Sequence, residues 1–390
     1  MLVWSGILVA YGEIAIKSDF VRRSYVRKLM RNIASSLKNE GLKCNVKHKW
    51  SRIIVDVDDV ERAMNILGRI FGISYYSPYI YVELSKLEDF IAQNCGELLK
   101  DAKSFAVRVR RSGKHDFSSR NLEVKLGSII KEKTGLKVSL ESPDRTVYVE
   151  VRNSDCYIYL WRMDGLRGIP LGTSGRVVCL VSGGIDSPVA AWYMMKRGCP
   201  LTILYADVKD PLRFRKFINI ARHISYWHLG EDLHVYTYDH YKWLEHIRDN
   251  GGKYVCVLCK IMMYAVANKL AERLGAWAIV TGESIGQVAS QTSRNLMVLN
   301  SYSNLPVVRP LIAYDKEEIV SMAKKLGFYD YAISRDGYVS SSIDCWARPK
   351  RVTTMADPGN VSKLLSELDF NHFLNECVNS IKPIDLNVPL

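Results

Sequence analysis

The sequence contains no run of eighteen apolar residues, so no segment reads as a membrane-crossing helix. Its start, Met1 to Glu13, is apolar but has neither a basic leading region nor a small-residue cleavage site, so no secretory signal is read there. Internal repeats and low-complexity tracts are missing as well. The nine cysteines are odd in number and scattered, which excludes a disulfide framework and makes them thiols. Cys44, Cys95, Cys156, Cys179, Cys199 and Cys377 sit alone among apolar or mixed neighbours and read as small core residues. These absences together lead us to expect a soluble, cytoplasmic chain with no membrane partner.

What is present is an ordinary globular balance, 48% hydrophobic and 24% charged, over 390 residues, enough for two or three domains. The charge is uneven. Residues 1–175 carry 29 basic and 20 acidic side chains, and the other 215 carry 25 and 21. A basic first half is consistent with one part holding a polyanion; a merely solvated basic surface is the alternative.

The first sixty residues predict strand, helix, strand, strand. Ile7–Ile16 is an extended apolar stretch broken by Gly12, residues 20–40 carry apolar side chains at helical spacing, and Ile53, Val55 and Val57 alternate. From about Val60 to Trp161 the pattern is α+β: a helix over 84–100, a strand over 105–111, a helix around Leu122–Ile130, a short strand at Val138 and strands at 147–151 and 157–161. The 105–111 strand puts Arg108 and Arg110 on one face. Four glycines and a proline between Gly165 and Gly175 mark a linker. Beyond it strands and helices alternate, which predicts a doubly wound parallel sheet with its ligand site at the carboxyl ends of the strands.

That expectation falls on Ser182-Gly183-Gly184-Ile185-Asp186-Ser187, where a buried strand runs through two glycines into a helix. Glycines admit an anion to the backbone, the helix start supplies unpaired N–H groups, and the serines add hydroxyl donors. Asp186 cannot face phosphate alone, so Mg2+ bridging it to a pyrophosphate is expected. The lysine that a Walker A loop requires is lacking.

Ser-Gly-Gly-x-Asp-Ser resembles the PP-loop of the ATP pyrophosphatases, and the string Leu180-Val-Ser-Gly-Gly-Ile-Asp-Ser-Pro-Val-Ala resembles that of the ThiI family, the tRNA 4-thiouridine synthetases. Thr281-Gly-Glu-Ser-Ile-Gly-Gln-Val-Ala-Ser-Gln-Thr292, Tyr11-Gly-Glu-Ile-Ala-Ile-Lys17 and Arg309-Pro-Leu311 are similar to further motifs of the same family. The resemblance runs to about residue 385. It implies a ferredoxin-like domain over 1–59, a THUMP RNA-binding domain over 60–165, a linker over 166–175 and a PP-loop domain over 176–390. It also implies ATP contacts at Leu180, Val181, Ser182, Gly183, Gly184, Asp186, Ser187, Tyr205, Ala206, Gly282 and Gln291. The family's Lys-Arg pair after the second cysteine reads Lys260-Ile261 here, so one arginine contact is missing.

The implied reaction transfers AMP to O4 of uridine 8 in tRNA, which turns a poor leaving group into a phosphate ester, and then replaces it with sulfur. Cys345 aligns with the family's catalytic cysteine, and Arg348, Lys350 and Arg351 would favour a thiolate there; as residues alone they also suit a plain thiol in a polar loop. Cys256-Val-Leu-Cys259 opens a helix. With Cys345 it makes three cysteines, a set associated in some family members with a [4Fe-4S] or [3Fe-4S] cluster; redox thiols and buried residues are the alternatives. Many relatives continue into a rhodanese domain, whereas this sequence stops at Leu390. The expectation is therefore a different sulfur donor, a persulfide protein or sulfide; the thiazole-synthesis role attached to the rhodanese part is weakly supported. THUMP implies tRNA binding, for which Arg108, Arg110, Arg111, Lys114 and Arg120 are the candidates, and the family implies a possible homodimer. Two further readings are thiolation at another tRNA base and an RNA-binding protein with a vestigial nucleotide site.

Overall fold

The computed structural model describes residues 3–333 and 345–388. It divides into two compact units, residues 1–170 and 171–390.

In the first unit the order is β1 (Gly6–Tyr11), α1 (Asp19–Asn39), β2 (Cys44–Lys49), β3 (Arg52–Val57), α2 (Val60–Leu67), β4 (Ile73–Glu83), α3 (Leu87–Leu98), β5 (Ser104–Ser112), α4 (Ser119–Thr134), β6 (Lys137–Val138), β7 (Arg145–Arg152), β8 (Asp155–Tyr159) and β9 (Met163–Asp164). The strands lie in one sheet in the order β2-β3-β1-β4-β8-β7-β5-β6, with β9 on β4. The expected strand over Ile7–Ile16 stops at Tyr11. A register shift at Ala10/Tyr11 and a 3-10 turn over Glu13–Ile16, closed by Ala15 N–H to the Gly12 carbonyl at 2.9 Å, end it there.

The eleven-residue β4 is the strand that sequence reading misses, because Pro78 lies in its middle. Tyr79 offers its carbonyl to Ser5 N–H on the β1 edge, so Pro78, one residue back, turns its donorless nitrogen to the other edge. On that edge β9 pairs at residues 75–76 and β8 only from Ile80. Proline is tolerated in a central strand because it falls in that gap.

One face of the sheet is covered by α3 and α4, whose Leu87, Ile91, Leu122, Leu126 and Ile130 pack on Phe105, Val107, Val149 and Ile158. The other face is built from Leu8, Ile54, Tyr79, Tyr157 and Tyr159, flanked by Tyr75 and Tyr148. At its centre Glu150, 1% exposed, accepts from Arg152 at 2.5 Å, Arg52 at 3.2 Å, Tyr159 at 3.2 Å and Tyr75 at 3.3 Å. Arg162 lies 4.4 Å from the Tyr148 ring centroid and 4.8 Å from that of Tyr75. Burial pushes the Glu150 carboxyl up, but the two arginines outweigh it and hold the group below its ordinary value. Arg52 comes from β3 and Glu150 from β7, so this ion cluster joins distant strands of one sheet.

In the second unit the order is β10 (Val177–Leu180), α5 (Asp186–Lys196), β11 (Leu201–Asp207), α6 (Pro211–Trp227), β12 (His234–Asp239), α7 (Tyr241–Asn250), α8 (Val255–Leu274), β13 (Ile279–Val280), α9 (Ser293–Asn300), β14 (Val307–Val308), α10 (Lys316–Leu326), α11 (Tyr329–Ala332), α12 (Pro358–Glu367), α13 (Phe370–Asn379) and β15 (Lys382–Pro383). The sheet order is β14-β13-β10-β11-β12-β15; all pairs are parallel except β12 with β15. The chain leaves β10 toward β11 on one side and returns to β13 on the other. The β10/β13 boundary is therefore the topological switch point, where a doubly wound sheet opens its crevice. Residues 252–274 form a helix that is by length and composition apolar enough to cross a membrane. Here that helix is core: Leu258, Ile261, Met262, Val266 and Leu270 are buried with β10 and α13 side chains.

Replacing Glu150 with alanine leaves Arg52 and Arg152 without their counter-charge. Urea unfolding should show a loss of about 3–5 kcal/mol, with a smaller loss for Glu150→Gln, which keeps an acceptor.

Candidate active site

Two loops meet at the switch point. The first follows β10, and its shape is set internally: Ser182 N–H donates to Ser187 Oγ at 3.0 Å, Gly184 N–H to Ser182 Oγ at 3.3 Å, and the two hydroxyl oxygens stand 3.3 Å apart. The second follows β13. Its Gly282 lies so close that a Cβ there would sit 2.6 Å from Asp186 C and Ser187 N. Backbone meets backbone at the start of α5, and only glycine permits it.

Between the loops is a cavity of about 930 Å³ lined by Ser182, Gly184, Asp186, Lys260, Gln287, Gln291, Tyr314 and Lys316 among others. Of the expected nucleotide contacts, Ser182, Gly184, Asp186 and Gln291 line it. Gly183 is buried against α6, where a Cβ would meet Lys216 Cβ at 3.1 Å. Ser187 braces the loop. Leu180 and Val181 end β10 as buried residues. Tyr205, on β11, stacks on Phe217 with centroids 4.2 Å apart, and Ala206 follows it.

The electrostatics of the cavity come largely from residues to which the sequence reading gave no individual role: Glu283, Gln287 and Arg309 within the quoted motifs, and Tyr264 and Lys316 outside them. Asp186 receives Lys316 Nζ at 2.7 Å and Gln287 Nε2 at 2.9 Å. Lys316 opens α10, whose start is signalled by the Asp315/Glu318 capping box. Glu283, 4% exposed, accepts from Lys260 at 2.7 Å, Arg309 at 2.7 Å, Tyr264 at 2.6 Å and Thr281 at 3.0 Å. Burial alone would raise its carboxyl; Lys260, Tyr264 and Arg309 outweigh that and hold it at about 2. Arg309 also donates to Tyr264 Oη at 3.1 Å and Asn300 at 2.8 Å, so the Arg309-Pro-Leu motif acts here through Glu283. Position 261, where the family resemblance leads one to expect arginine, holds a fully buried isoleucine on α8; among the described residues the cavity's cations are Lys260 and Lys316.

Among the described residues Asp186 and Asp315 are the carboxylates of the lining. Asp315 is committed to its helix cap, which leaves Asp186 as the oxygen donor suited to a magnesium ion shared with phosphates.

Cys256 and Cys259 stand on the first turn of α8. Burial raises both thiols above their ordinary value, and the neighbouring Cys345 adds to each rise; Lys260 and Arg348 pull Cys256 back. The three are thus within electrostatic reach of one another. Among the described residues no group of three His, Cys, Asp or Glu side chains is placed to hold a metal ion. The Cys259 sulfur packs against the core and lies 3.2 Å from Nε2 of the buried His240. Cys345 begins a surface turn closed by Arg348 N–H to its carbonyl at 2.9 Å. Residues 341–344, which precede it in the sequence, lie outside the described residues.

The candidate RNA residues separate. Alternation on β5 places Arg108 and Arg110 on the tyrosine face, level with Tyr148 and Glu150, and Arg111 on the helix side. Arg108 donates to the Leu140 carbonyl and Arg110 is exposed. Lys114 is exposed in the following turn, and Arg120, at the start of α4, pairs with Glu123 at 3.6 Å.

A glycine-rich loop and a second backbone-packed loop at the switch point of a parallel sheet define a PP-loop ATP pyrophosphatase domain. Comparison with known proteins makes this specific. Residues 172–370 match the family described as thiamine biosynthesis protein (ThiI), residues 6–77 the ThiI ferredoxin-like domain and residues 84–160 the THUMP domain. A probable tRNA sulfurtransferase of Methanothermobacter thermautotrophicus is 36% identical over 380 residues, 95% of each chain. Another from Methanocaldococcus jannaschii is 35% identical over 376 residues, 92% of this chain and 96% of its own. A crystal structure of a 4-thiouridine synthetase–RNA complex with bound ATP superimposes with a TM-score of 0.86 at 30% identity, covering 98% of this chain and 100% of that one. The chain belongs to the ThiI family.

Gly282→Ala should force the two loops apart. ATP affinity measured by calorimetry should fall at least tenfold, with a stability loss of about 1–3 kcal/mol.

Proposed function

We propose that the protein is an ATP-dependent tRNA sulfurtransferase that converts uridine 8 of tRNA to 4-thiouridine. The observation that carries the reading is the switch-point cavity, with Asp186 and Lys316 on one side and Lys260, one residue from Cys259, on the other. ATP fits this arrangement with its polyphosphate at Ser182 and Gly184, over the start of α5, where N–H groups and the helix dipole favour negative charge. Leu180, Val181, Tyr205, Ala206, Gly282 and Gln291 complete the proposed nucleotide site, and Gly183 and Ser187 act by holding the loop. Asp186 would hold Mg2+, which supplies charge neutralisation on the phosphates; Lys316 is its countercharge otherwise.

In the first step O4 of the uracil attacks the α-phosphorus, the bond to the β-phosphate breaks, and pyrophosphate leaves carrying that electron pair. Lys260 and Lys316 stabilise the charge that gathers on it. In the second step sulfur attacks C4, and AMP departs with the former O4. Cys345 is the proposed carrier of that sulfur as a persulfide, loaded by a persulfide protein or by sulfide together with an oxidant. The terminal sulfur attacks C4. Cys256 then attacks Sγ of Cys345, which frees the thiouridine and leaves a Cys256–Cys345 disulfide for a thiol reductant to reopen. The electrostatic coupling of these two cysteines supports this pairing. Cys256, Cys259 and Cys345 are also the residues that would hold an iron–sulfur cluster, and no step is routed through one. A tRNA substrate supports a cytoplasmic location.

On the RNA side Arg108 and Arg110, which share a face, are the proposed phosphate contacts, with Lys114 at the adjoining turn. Arg111 and Arg120 lie on the helix side and would meet a different part of the RNA.

Two measurements test the reading. Incubated with tRNA transcript, ATP and a sulfur donor, the protein should yield 4-thiouridine at position 8 by nucleoside analysis and mapping. Asp186→Ala should lower both pyrophosphate release and thiolation by about 10²–10³-fold. Cys345→Ala should retain a single turnover of tRNA-dependent pyrophosphate release and yield no thiouridine; full thiolation by either variant rejects the mechanism. Separately, Arg110→Ala should weaken tRNA binding and reduce the slope of log affinity against log salt by about 1. An unchanged slope rejects Arg110 as a phosphate contact.

A further inference from the structure

Beside Cys345 the surface carries an aromatic side chain that the fold does not need there. Trp346 is 39% exposed, and its ring lies 5.4 Å from that of Tyr241 at an interplanar angle of 36°. The Arg248 guanidinium stands 5.3 Å from the Trp346 ring centroid, and Lys209 Nζ stands 5.0 Å from that of Tyr241. The pair is anchored. Tyr241 opens α7 directly after β12, its N–H donates to Asp239 at 2.9 Å and its hydroxyl to Glu245 at 3.0 Å. Arg248 is fixed in turn by two bonds to Asp249, at 2.7 and 2.9 Å. Tyr241 therefore stands at the carboxyl end of the parallel strands, the same end at which the cavity opens.

A large indole left in water next to a reactive thiol, and held by neighbours that are themselves tied down, is a preorganised surface. Its chemistry is that of a base-stacking platform: a flat π-face, flanking cations, and no hydrogen-bonding code. The reaction needs such a surface. O4 of a base inside a folded RNA is out of reach of an enzyme cavity, so the nucleotide must be drawn out of its stack and held by other means. A pyrimidine stacked on the indole presents its C4–O4 edge sideways, free to meet both the nucleotide and the sulfur. Arg348, Lys350 and Arg351, exposed on the segment that follows Trp346, suit the phosphates on either side of the extruded nucleotide.

We propose that Trp346, braced by Tyr241, is the platform on which the target uracil stacks during thiolation. The inference rests on the tRNA sulfurtransferase reading above and adds to it the residues that hold the base. Trp346 is a substrate-binding residue, and Tyr241 acts through it as a positioning residue.

The test uses the full chain with tRNA transcript, ATP, a persulfide donor to load Cys345 and a thiol reductant to reopen the disulfide. Trp346→Ala should lower kcat/KM for tRNA at least tenfold, mainly through KM. Trp346→Phe, which keeps a π-face, should stay within about threefold of the unaltered protein, and Tyr241→Ala should fall between them. ATP affinity by calorimetry should stay within twofold throughout, which separates base positioning from damage to the fold or the nucleotide site. Independently, tRNA carrying 5-iodouridine at position 8, irradiated in the complex, should cross-link to Trp346 or Tyr241, as mapped by mass spectrometry. The platform is rejected if Trp346→Ala matches the unaltered protein within twofold, if phenylalanine is no better than alanine, or if cross-links map elsewhere. If the unaltered protein makes no 4-thiouridine, the broader functional reading fails and the platform with it.

Discussion

Glu283 is the constraint on which the site depends. A carboxylate this deeply buried is tolerable only if its charge is matched, and it is matched by residues from three places: Lys260 and Tyr264 on α8, Thr281 at the end of β13 and Arg309 after β14. Each partner fixes an element that does something else. α8 carries Cys256 and Cys259, the segment after β13 carries Gly282 and the cavity wall, and Lys260 is itself part of the cavity lining. One ion cluster therefore sets the spacing between the anion-binding loop, the thiols and the cavity's cations.

Around that anchor the cavity relies on close backbone approach more than on side chains. Gly282 abuts the first turn of α5, and Gly183 abuts α6, so the two glycines hold the loop from opposite sides while Gly184 remains open to the cavity. The serine hydroxyls are bonded within the loop, which gives it a fixed shape before any nucleotide arrives. Asp186 is likewise held in advance by Lys316 and Gln287. Preorganised donors of this kind need little rearrangement when charge develops on a departing pyrophosphate.

The first unit uses the same device on a different scale. Glu150 with Arg52 and Arg152, and Arg162 between two tyrosine rings, join strands that belong to the two ends of the chain segment. The continuous sheet makes one rigid surface from what sequence motifs present as separate modules. Arg108 and Arg110 project from it next to the tyrosine cluster.

The sequence alone determined the parallel sheet, the glycine-rich loop at its switch point and the family, because strand–loop–helix patterning and the Ser182–Ser187 and Thr281–Thr292 strings are local. It also singled out Asp186 by its place in the loop, Cys256 and Cys259 by their spacing and Cys345 by the family resemblance. Tertiary structure decided the rest. β4 escaped notice because a proline in a central strand is acceptable only where its edge has no partner, which depends on β8 and β9. Glu283, Arg309, Lys316 and Trp346 owe their surroundings to residues tens of positions or more away, and charge compensation acts through space rather than along the chain. The same holds at Cys259: the CxxC spacing is local, but its neighbour at 3.2 Å, His240, comes from the end of β12.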